Sequence, residues 1–481
     1  MKFRIMALII ALFISLNSFT PACVGETVSA QNDYQNAEKA VLAAWDSYND
    51  SVDISDYCIE LENFEYFGDY VTYRNTEYFY VSIDSCSYNS QTNLITKLNF
   101  SYSFDKEKIP TMISLFDTKV KKVLDLMPEG VSDVEKLLFL HDYIAGNTVY
   151  DKRVYNNIDT SDDKYIRTSY GCIVNENAVC EGISEAFLYF CKIIGIEAYP
   201  VISNTMVHEW NMVKLGNNYY HIDITQDAPV YKLGFHGFHQ ALGDISHTFF
   251  LKSDSQIKDE ALGNSVHYSW NAPYSATDSS TFENAFWNDA LGPINYCNGE
   301  YYYISSNNLV SYNYNSKTIS NLFSIGQELW KCSCGFTHRW IGKYSNSTTD
   351  GKLIYFISGN NIYAYNIANK SVGVVYSRSG KGFIYSILHK NNSMQISIRD
   401  DDVNKNPFYK DVELTSFVSP DASVVIGDSD GSGEINVADV LKLKKYLAKN
   451  DIDINEYGSD VKYDNEINAK DVLFLIKILA S

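Results

Sequence analysis

The stretch "NENAVCEGISEAF" at residues 175–187 places Cys180 directly before a run of residues with helical spacing. The apolar residues of that run are three and four apart and Gly195 ends it, so the pattern predicts a helix over 181–194. The N-terminus of a helix favours negative charge, and a thiol placed there ionises more readily and becomes a better nucleophile. Cys180 is therefore a candidate nucleophile. Half of a disulfide and a small apolar core residue are the alternatives.

A base and an acceptor that orients it are also needed, and the following segment offers both. In "VHEWNMVKLGNNYYHIDITQDAP" (207–229), strand-like runs flank a turn at "LGNN". If this hairpin has a two- or four-residue loop, His208 and Asp223 point to the same face of the sheet. A carboxylate in that position can hold the imidazole of His208 and favour its charged form.

These residues, with their flanks, resemble the transglutaminase-like superfamily, a branch of papain-like cysteine chemistry. The likeness extends upstream to "LHDYIAGNTVYD" (140–151) and downstream to "HTFFLKSD" (247–254). It implies an α+β papain-like core with an N-terminal extension over 31–280. It also implies that Cys180 is the nucleophile, His208 the base and Asp223 the orienting residue, with no cofactor for catalysis.

The activity implied by the resemblance is acyl transfer through a thioester, most often hydrolysis of an amide or peptide bond in a peptide or protein substrate. A transglutaminase that cross-links proteins and a non-catalytic binding subunit are the alternatives. The family usually has Ala or Val where this chain has Glu209, and we expect the charge of Glu209 to raise the pKa of His208.

Several other residues that could carry chemistry have a plainer interpretation. We expect Cys172 and Cys191 to be core residues, and His141 to serve packing. The pair His236 and His239 and the "CSC" at 332–334 are weak metal candidates, and Cys58 with Cys86 is a possible disulfide. The patterns also predict helices over 34–49, 107–127 and 132–147, and strands over 70–83, 94–104, 197–203, 208–214 and 219–225.

The composition becomes β-rich and tyrosine-rich after about residue 285. The segment "YYYISSNNLVSYNYNSK" (301–317) recurs as "IYFISGNNIYAYNIANK" (354–370), with two strands around an Asn-rich turn in each copy. Such a repeat resembles a blade of a β-propeller. We expect a small all-β domain of blade-like units over 285–415, without chemistry of its own.

The C-terminus contains a second repeat, in which "GEINVADVLKLKKYL" from Gly433 returns as "NEINAKDVLFLIKIL" from Asn465. Each copy is a polar loop followed by an amphipathic helix. Oxygen-bearing side chains recur along each loop at the positions that ligate Ca²⁺ in EF-hand-like sites. The predicted ligands are Asp428, Asp430, Ser432, Glu434, Asn436 and Asp439 in the first loop, and Asp460, Asp464, Glu466, Asn468 and Asp471 in the second. Lys462 stands at a ligand position of the second loop, so we expect weaker binding there.

Two such loop–helix units resemble a type I dockerin, an all-α calcium-binding module, here over 424–481. The resemblance implies two Ca²⁺ ions and a cohesin domain of a scaffoldin as partner, in an extracellular cellulosome that breaks down polysaccharide. The residues implied to contact cohesin are Val437, Ala438, Lys444, Lys445, Ala469, Lys470 and Lys477.

The N-terminus has a basic start, a short apolar run and small residues at 29 and 30, which predict a secretory signal peptide over 1–30. No later stretch is apolar and long enough to span a membrane. The formal net charge of -20 argues against nucleic acid as a partner. The sequence thus predicts a secreted, multidomain protein.

Overall fold

The structure is a computed structural model, and it describes most of the chain after residue 27. The described residues are 28–154, 158–160, 163–228, 231–232, 238–239, 245–258, 267–325, 329–331, 337–339, 346–379, 383–390, 393–399, 408–414, 427–432, 434–449, 452–461 and 467–480. They form two compact units, Met1–Val230 with His247–Ala285, and Tyr231–Ser246 with Phe286–Ser481. The predicted signal peptide lies almost entirely outside the described residues. Within them, no helix combines the length and the apolar character needed to cross a membrane.

The first unit begins with a helix, a small antiparallel sheet and a second helix. Its elements are α1 (Val28–Asp46), β1 (Ser51–Asp53), α2 (Phe64–Arg74), β2 (Val81–Tyr88) and β3 (Ile95–Tyr102). The sheet has the order β1-β3-β2. The strand predicted over 70–83 is wrong in its first part, because α2 occupies it. Phe67 and Val71, four residues apart, are both fully buried, so packing overrides the strand preference of the tyrosines there.

Two helices that the sequence predicts follow, α3 (Ile109–Leu124) and α4 (Asp133–Asn147). A capping box stands at the start of α4. The side chain of Ser132 accepts a hydrogen bond from the Glu135 N–H, and the Glu135 carboxylate accepts one from the Ser132 N–H at 2.8 Å. These bonds satisfy amide groups that a helix start leaves open.

The segment that carries Cys180 comprises β4 (Val149–Tyr150), α5 (Ser169–Ile173), β5 (Asn177–Ala178) and α6 (Cys180–Ile194). Strands β4 and β5 pair in parallel. Gly182, in the first turn of α6, packs on the backbone of 166–168. A Cβ at Gly182 would lie 2.8 Å from the carbonyl oxygens of Ile166 and Thr168, so a larger residue would push α6 off this segment.

The chain then forms a four-stranded antiparallel sheet of order β11-β8-β7-β6. The elements of this stretch are β6 (Ala198–Ser203), β7 (His208–Leu215), β8 (Asn218–Ile222), α7 (Ile224–Asp227), β9 (Tyr231–Lys232), β10 (Phe238–His239), β11 (Phe250–Lys252) and α8 (Asp254–Ile257). Strands β9 and β10 pair with each other and belong to the second unit. Leu215 pairs with Asn218, so β7 and β8 are joined by a two-residue turn in which Gly216 has φ of +62°. One face of this sheet packs on a core that includes Val201, Trp210 and Met212.

The second unit contains further small antiparallel sheets. Their strands are β12 (Asn295–Cys297), β13 (Glu300–Ser305), β14 (Asn308–Asn313), β15 (Thr318–Ser324), β16 (Leu329–Lys331), β17 (Thr337–Arg339), β18 (Ser347–Thr349), β19 (Leu353–Ser358), β20 (Asn361–Asn366), β21 (Val372–Ser377), β22 (Phe383–Lys390), β23 (Ser393–Arg399) and β24 (Phe408–Val412). The sequence repeat falls on two four-stranded sheets with the orders β12-β13-β14-β15 and β18-β19-β20-β21. Asn308 pairs with Ser305, as Asn361 pairs with Ser358, so the two copies share a register. That these sheets act as propeller blades stays a prediction.

Three helices close the chain, α9 (Val437–Leu447), α10 (Glu456–Ser459) and α11 (Ala469–Ala480). Helices α9 and α11 correspond to the two copies of the C-terminal repeat. Val440 and Leu443 of α9 pack with Val472 and Leu475 of α11 in one small core. Each helix therefore buries one apolar stripe against the other.

Candidate active site

Cys180 is the first residue of α6 and is partly exposed to solvent. Val179 caps the helix in extended conformation, and its own N–H donates to the Ile166 carbonyl at 2.8 Å. The first amide groups of a helix have no partner within it, and together with the helix dipole they favour negative charge on a side chain at this end. The sequence predicted a helix from residue 181, whereas the helix begins at Cys180. Cys180 itself therefore belongs to the first turn.

The structure brings His208 and Asp223 together. The Nε2 of His208, the first residue of β7, lies 2.7 Å from the Oδ2 of Asp223, which follows β8. The Asp223 carboxylate is fully buried, and its Oδ1 accepts a hydrogen bond from the Gln226 N–H at 3.0 Å. Because Nε2 is engaged by the carboxylate, Nδ1 is the ring nitrogen left for a second partner.

The electrostatics of this pair favour an ion pair. Burial opposes a charge on His208, but the charge of Asp223 and its hydrogen bond outweigh burial and raise the pKa of His208 well above its ordinary value. The Cys180 side chain is close enough to contribute to the same rise. Burial likewise opposes charge on Asp223, but His208 and the hydrogen bonds it receives lower the pKa of this carboxyl. Cys180, His208 and Asp223 thus form one interacting group.

His267 is a further member of this group that the sequence did not indicate. It is fully buried, and its Nε2 lies 2.7 Å from the same Asp223 Oδ2 that holds His208. Its Nδ1 is buried and has no hydrogen-bond partner among the described residues. No motif surrounds His267 and it lies 44 residues beyond Asp223, so no pattern in the sequence could have found it.

An indole stacks on the candidate base. The rings of Trp210 and His208 are 5.4 Å apart and nearly parallel. The Trp210 Nε1–H donates to His221 Nδ1 at 3.1 Å, and His221 Nε2–H donates to Asp254 at 2.8 Å. This chain of contacts fixes the orientation of the indole beside His208.

Glu209 does not act as the sequence suggested. It is buried, and its Oε2 accepts a hydrogen bond from the Tyr73 hydroxyl at 3.2 Å. Burial, then the nearby charges of Glu181 and Glu185, raise the pKa of Glu209 well above its ordinary value. The rise in the His208 pKa comes from Asp223 and, to a smaller extent, from Cys180, rather than from Glu209.

A second buried cluster of histidines and aspartates lies in the same unit. His141 donates from Nδ1 to Asp142 at 2.8 Å and from Nε2 to Asp227 at 3.1 Å. Burial opposes its charge, but these two bonds raise the pKa of His141 to about 9. Asp227 also accepts the Phe249 N–H at 3.0 Å, and the Phe249 carbonyl accepts the Asp223 N–H. His141 therefore does more than pack, because it supports the backbone that carries Asp223.

The remaining cysteines of the first unit differ from Cys180 in their surroundings. Cys172 and Cys191 are buried, as expected, and burial raises the pKa of both thiols, that of Cys172 to about 12. Cys58 and Cys86 are free thiols, so the possible disulfide between them does not form here. The side chains of His236 and His239 and the "CSC" at 332–334 lie outside the described residues.

The predicted calcium loops are described in part. In the first loop, carboxylate oxygens of Asp428, Asp430 and Asp439 lie within 4.8 Å of one another. Like charges at that separation repel, and the hard oxygen donors suit Ca²⁺, so these residues fit a cation. Asp439 also accepts the backbone N–H groups of Asp430 at 3.0 Å and Asn436 at 2.8 Å.

Ser432, Glu434 and Asn436 of the first loop have exposed side chains. In the second loop, Asp471 repeats one contact of Asp439, because it accepts the Asn468 N–H at 2.9 Å. Asp460 is half-buried. Asp464 and Glu466, together with Lys462, lie outside the described residues.

The residues implied to contact cohesin all present their side chains to solvent. They are Val437, Ala438, Lys444, Lys445, Ala469, Lys470 and Lys477. Val437 is 66% exposed, and the neighbouring Leu441 and Leu473 are 54% and 62% exposed. An apolar surface of this kind on two short helices is available to a partner.

The Cys–His–Asp geometry lies in the first unit, and the pair of loop–helix repeats lies in the second. Comparison with protein families agrees with both parts. Residues 125–224 match the model of the transglutaminase-like superfamily, and residues 426–480 match that of the dockerin type I domain. The chain therefore contains a transglutaminase-like domain and a C-terminal type I dockerin domain.

Two solved structures are among those to which parts of the chain are similar. A crystal structure described as a TGase has 16% identity and a TM-score of 0.22, over 30% of this chain and 45% of that chain. A candidate cysteine protease from Cytophaga hutchinsonii has 16% identity and a TM-score of 0.19, over 30% of this chain and 62% of that chain. The chain thus spans less than two thirds of either structure. No curated protein sequence matches it.

Proposed function

We propose that the chain is a secreted thiol enzyme that hydrolyses amide or peptide bonds and is held in a cellulosome by its dockerin. The observation that carries the proposal is the 2.7 Å contact between His208 Nε2 and Asp223 Oδ2, with Cys180 at a helix start beside the imidazole. The proposed domains are a signal peptide over 1–30, the enzyme over 31–280, a β-rich region over 285–415 and the dockerin over 424–481.

The chemistry follows from these positions. The sulfur of Cys180 attacks the substrate carbonyl, while first-turn amides of α6 stabilise the negative charge that develops on the oxygen. His208, held as an imidazolium by Asp223, gives its proton to the leaving amine, and a thioester remains on Cys180. His208 then takes a proton from water, which attacks the thioester and releases the acid. If an amine takes the place of water in the last step, the same site cross-links proteins.

The dockerin has a separate role in the proposal. The carboxylates of Asp428, Asp430 and Asp439 would hold Ca²⁺, and the bound ion would offset the repulsion among them. The second loop would hold a second Ca²⁺ ion more weakly, because Lys462 stands at a ligand position. The exposed side chains of α9 and α11 then contact the cohesin of a scaffoldin.

The proposed reaction is tested by incubating the parent protein, and separately Cys180→Ala, with a peptide mixture from a plant cell-wall extract. Mass spectrometry would count new peptide termini, and a labelled alkylamine would report transfer to an amine. We expect cleavage by the parent and none by Cys180→Ala, with equal far-ultraviolet circular dichroism. Equal turnover by both proteins would refute the thiol mechanism, and amine incorporation without cleavage would replace hydrolysis by cross-linking.

A further inference from the structure

A buried polar link joins α6, which carries the candidate nucleophile, to β7, which carries the candidate base. The Asn211 side chain donates from Nδ2 to the Ser184 hydroxyl at 2.9 Å, and this hydroxyl donates to the Trp210 carbonyl at 3.4 Å. The same Nδ2 lies 3.3 Å from the Ser184 carbonyl. Ser184, Trp210 and Asn211 are each 1% exposed, so solvent does not compete for these bonds.

The link lies close to both reacting groups along regular elements. Ser184 is four residues after Cys180, so the two share a face of α6 and are about 6 Å apart along its axis. Asn211 is three residues after His208, or about 10 Å along β7. Strand β7 is itself held between β6 and β8. The position of α6 against β7 at the link therefore sets how far Cys180 lies from His208.

The link differs in kind from the packing around it. Most of the buried residues of α6 are apolar, and apolar contacts have no preferred direction, so they tolerate small sliding movements. A hydrogen bond requires both a short distance and alignment, and here two bonds meet at one hydroxyl. Cys180 and His208 interact through charge and a hydrogen bond, and both weaken as the two groups move apart. A directional link one helical turn away is suited to hold that distance.

We infer that Ser184 and Asn211 are positioning residues, which keep the sulfur of Cys180 within reach of the His208 imidazole. The inference rests on the proposed thiol mechanism. Without the link, nucleophile and base are still present, but α6 can shift against β7. The imidazolium then stabilises the thiolate less, and Cys180 reacts as an ordinary thiol does, slowly at low pH and faster as the pH rises.

The inference is tested by following alkylation of Cys180 by iodoacetamide in the full chain between about pH 6 and about pH 9. Ser184→Ala removes the hydroxyl, and Asn211→Ala removes the amide that donates to it. At about pH 6 we expect each variant to react about tenfold more slowly than the parent, the effect of one lost hydrogen bond. At about pH 9 both should come within about threefold of the parent, because an unassisted thiol is then also ionised.

A matched variant separates positioning from loss of stability. Ser132→Ala makes the same substitution at the start of α4, where it removes the capping hydroxyl. It should lower the stability of the fold and leave the pH profile of Cys180 unchanged. Circular dichroism shows whether each variant folds, and Ser184→Ala decides alone if Asn211→Ala does not.

The outcomes distinguish the inference from the mechanism on which it rests. Parent-like profiles in Ser184→Ala and Asn211→Ala would overturn the inference and leave the thiol mechanism intact. The inference also falls if Ser132→Ala changes the profile as much as they do, because the effect would then follow stability. A parent rate that itself rises about tenfold per pH unit would refute the thiol mechanism, and the inference with it.

Discussion

At the scale of single residues, the order of Cys180, His208 and Asp223 was enough to predict a common site. A cysteine at a helix start can be recognised from local pattern, and a two-residue hairpin turn fixes which side chains share a face. The raised pKa of Glu209 could not be predicted in this way. It depends on how α6 and β7 bury three carboxyls together, and this is a matter of tertiary packing.

His267 provides a prediction at this scale, because it bonds the same oxygen of Asp223 as His208 does. Two donors on one oxygen fix the plane of the carboxylate, and thereby the direction of the His208 ring. His267→Phe keeps the ring shape but loses the donor, so we expect it to slow the reaction of Cys180 with iodoacetamide about tenfold, the effect of a lost bond to a charged group. His267→Gln keeps an amide donor at a similar reach and should restore most of the rate. Equal rates in the parent and both variants would show that His267 only fills space.

Glu209 gives a prediction about stability and pH. The unfolded carboxyl ionises near its ordinary value of 4.5, whereas the folded one keeps its proton to higher pH. The unfolded chain therefore loses this proton first, so the contribution of Glu209 to stability falls as pH rises above 4.5 and levels off once the folded carboxyl ionises. The fall amounts to about 1.4 kcal/mol for each unit by which the pKa is raised.

Urea unfolding at about pH 5 and about pH 8 measures this effect. We expect the parent to lose more stability between the two pH values than Glu209→Gln does, because the amide cannot ionise. Glu107→Gln, which changes an exposed glutamate, serves as the control and should behave like the parent. An identical loss in Glu209→Gln would mean that Glu209 is ionised in the folded protein.

At the scale of elements, helical spacing predicted α4 and α6 to within about two residues. The same reasoning failed over 70–83, where alternating tyrosines suggested a strand. Glu38 of α1 accepts bonds from Arg74 and Asn75 at the end of α2, and contacts of this kind between distant segments are invisible to local pattern. Gly182 illustrates the same limit. It allows α6 to pack on the backbone of 166–168, a contact that no local pattern in the sequence indicates.

The loop–helix repeats give a prediction about elements. The first loop has carboxylates at Asp428, Asp430 and Asp439, whereas Lys462 replaces a ligand in the second. Asp428→Ala should therefore weaken both calcium and cohesin binding more than Asp460→Ala does. Calorimetry of the full chain with Ca²⁺ and with a panel of cohesins measures both effects. Cohesin binding that persists in chelator would contradict the calcium-dependent docking.

At the scale of the whole molecule, the sequence predicted separate modules, and their repeats are visible in the structure as two similar sheets and two similar helices. Duplication of a segment leaves a signal that needs no knowledge of packing, and the β-rich and C-terminal regions could be recognised for that reason.

The central claim is that Cys180 reacts as a thiolate paired with the His208 imidazolium, and one measurement tests it most directly. The rate of Cys180 alkylation by iodoacetamide is followed across pH in the full chain, with quantification of each cysteine peptide by mass spectrometry. The exposed thiol of Cys58 is an internal reference in every sample. The account predicts that the Cys180 rate changes less than about threefold between about pH 6 and about pH 8, because the ion pair keeps the sulfur ionised. In His208→Ala, which removes the cationic partner of the sulfur, the rate should instead rise about tenfold per pH unit. A parent profile that rises as steeply as that of the variant would contradict the account.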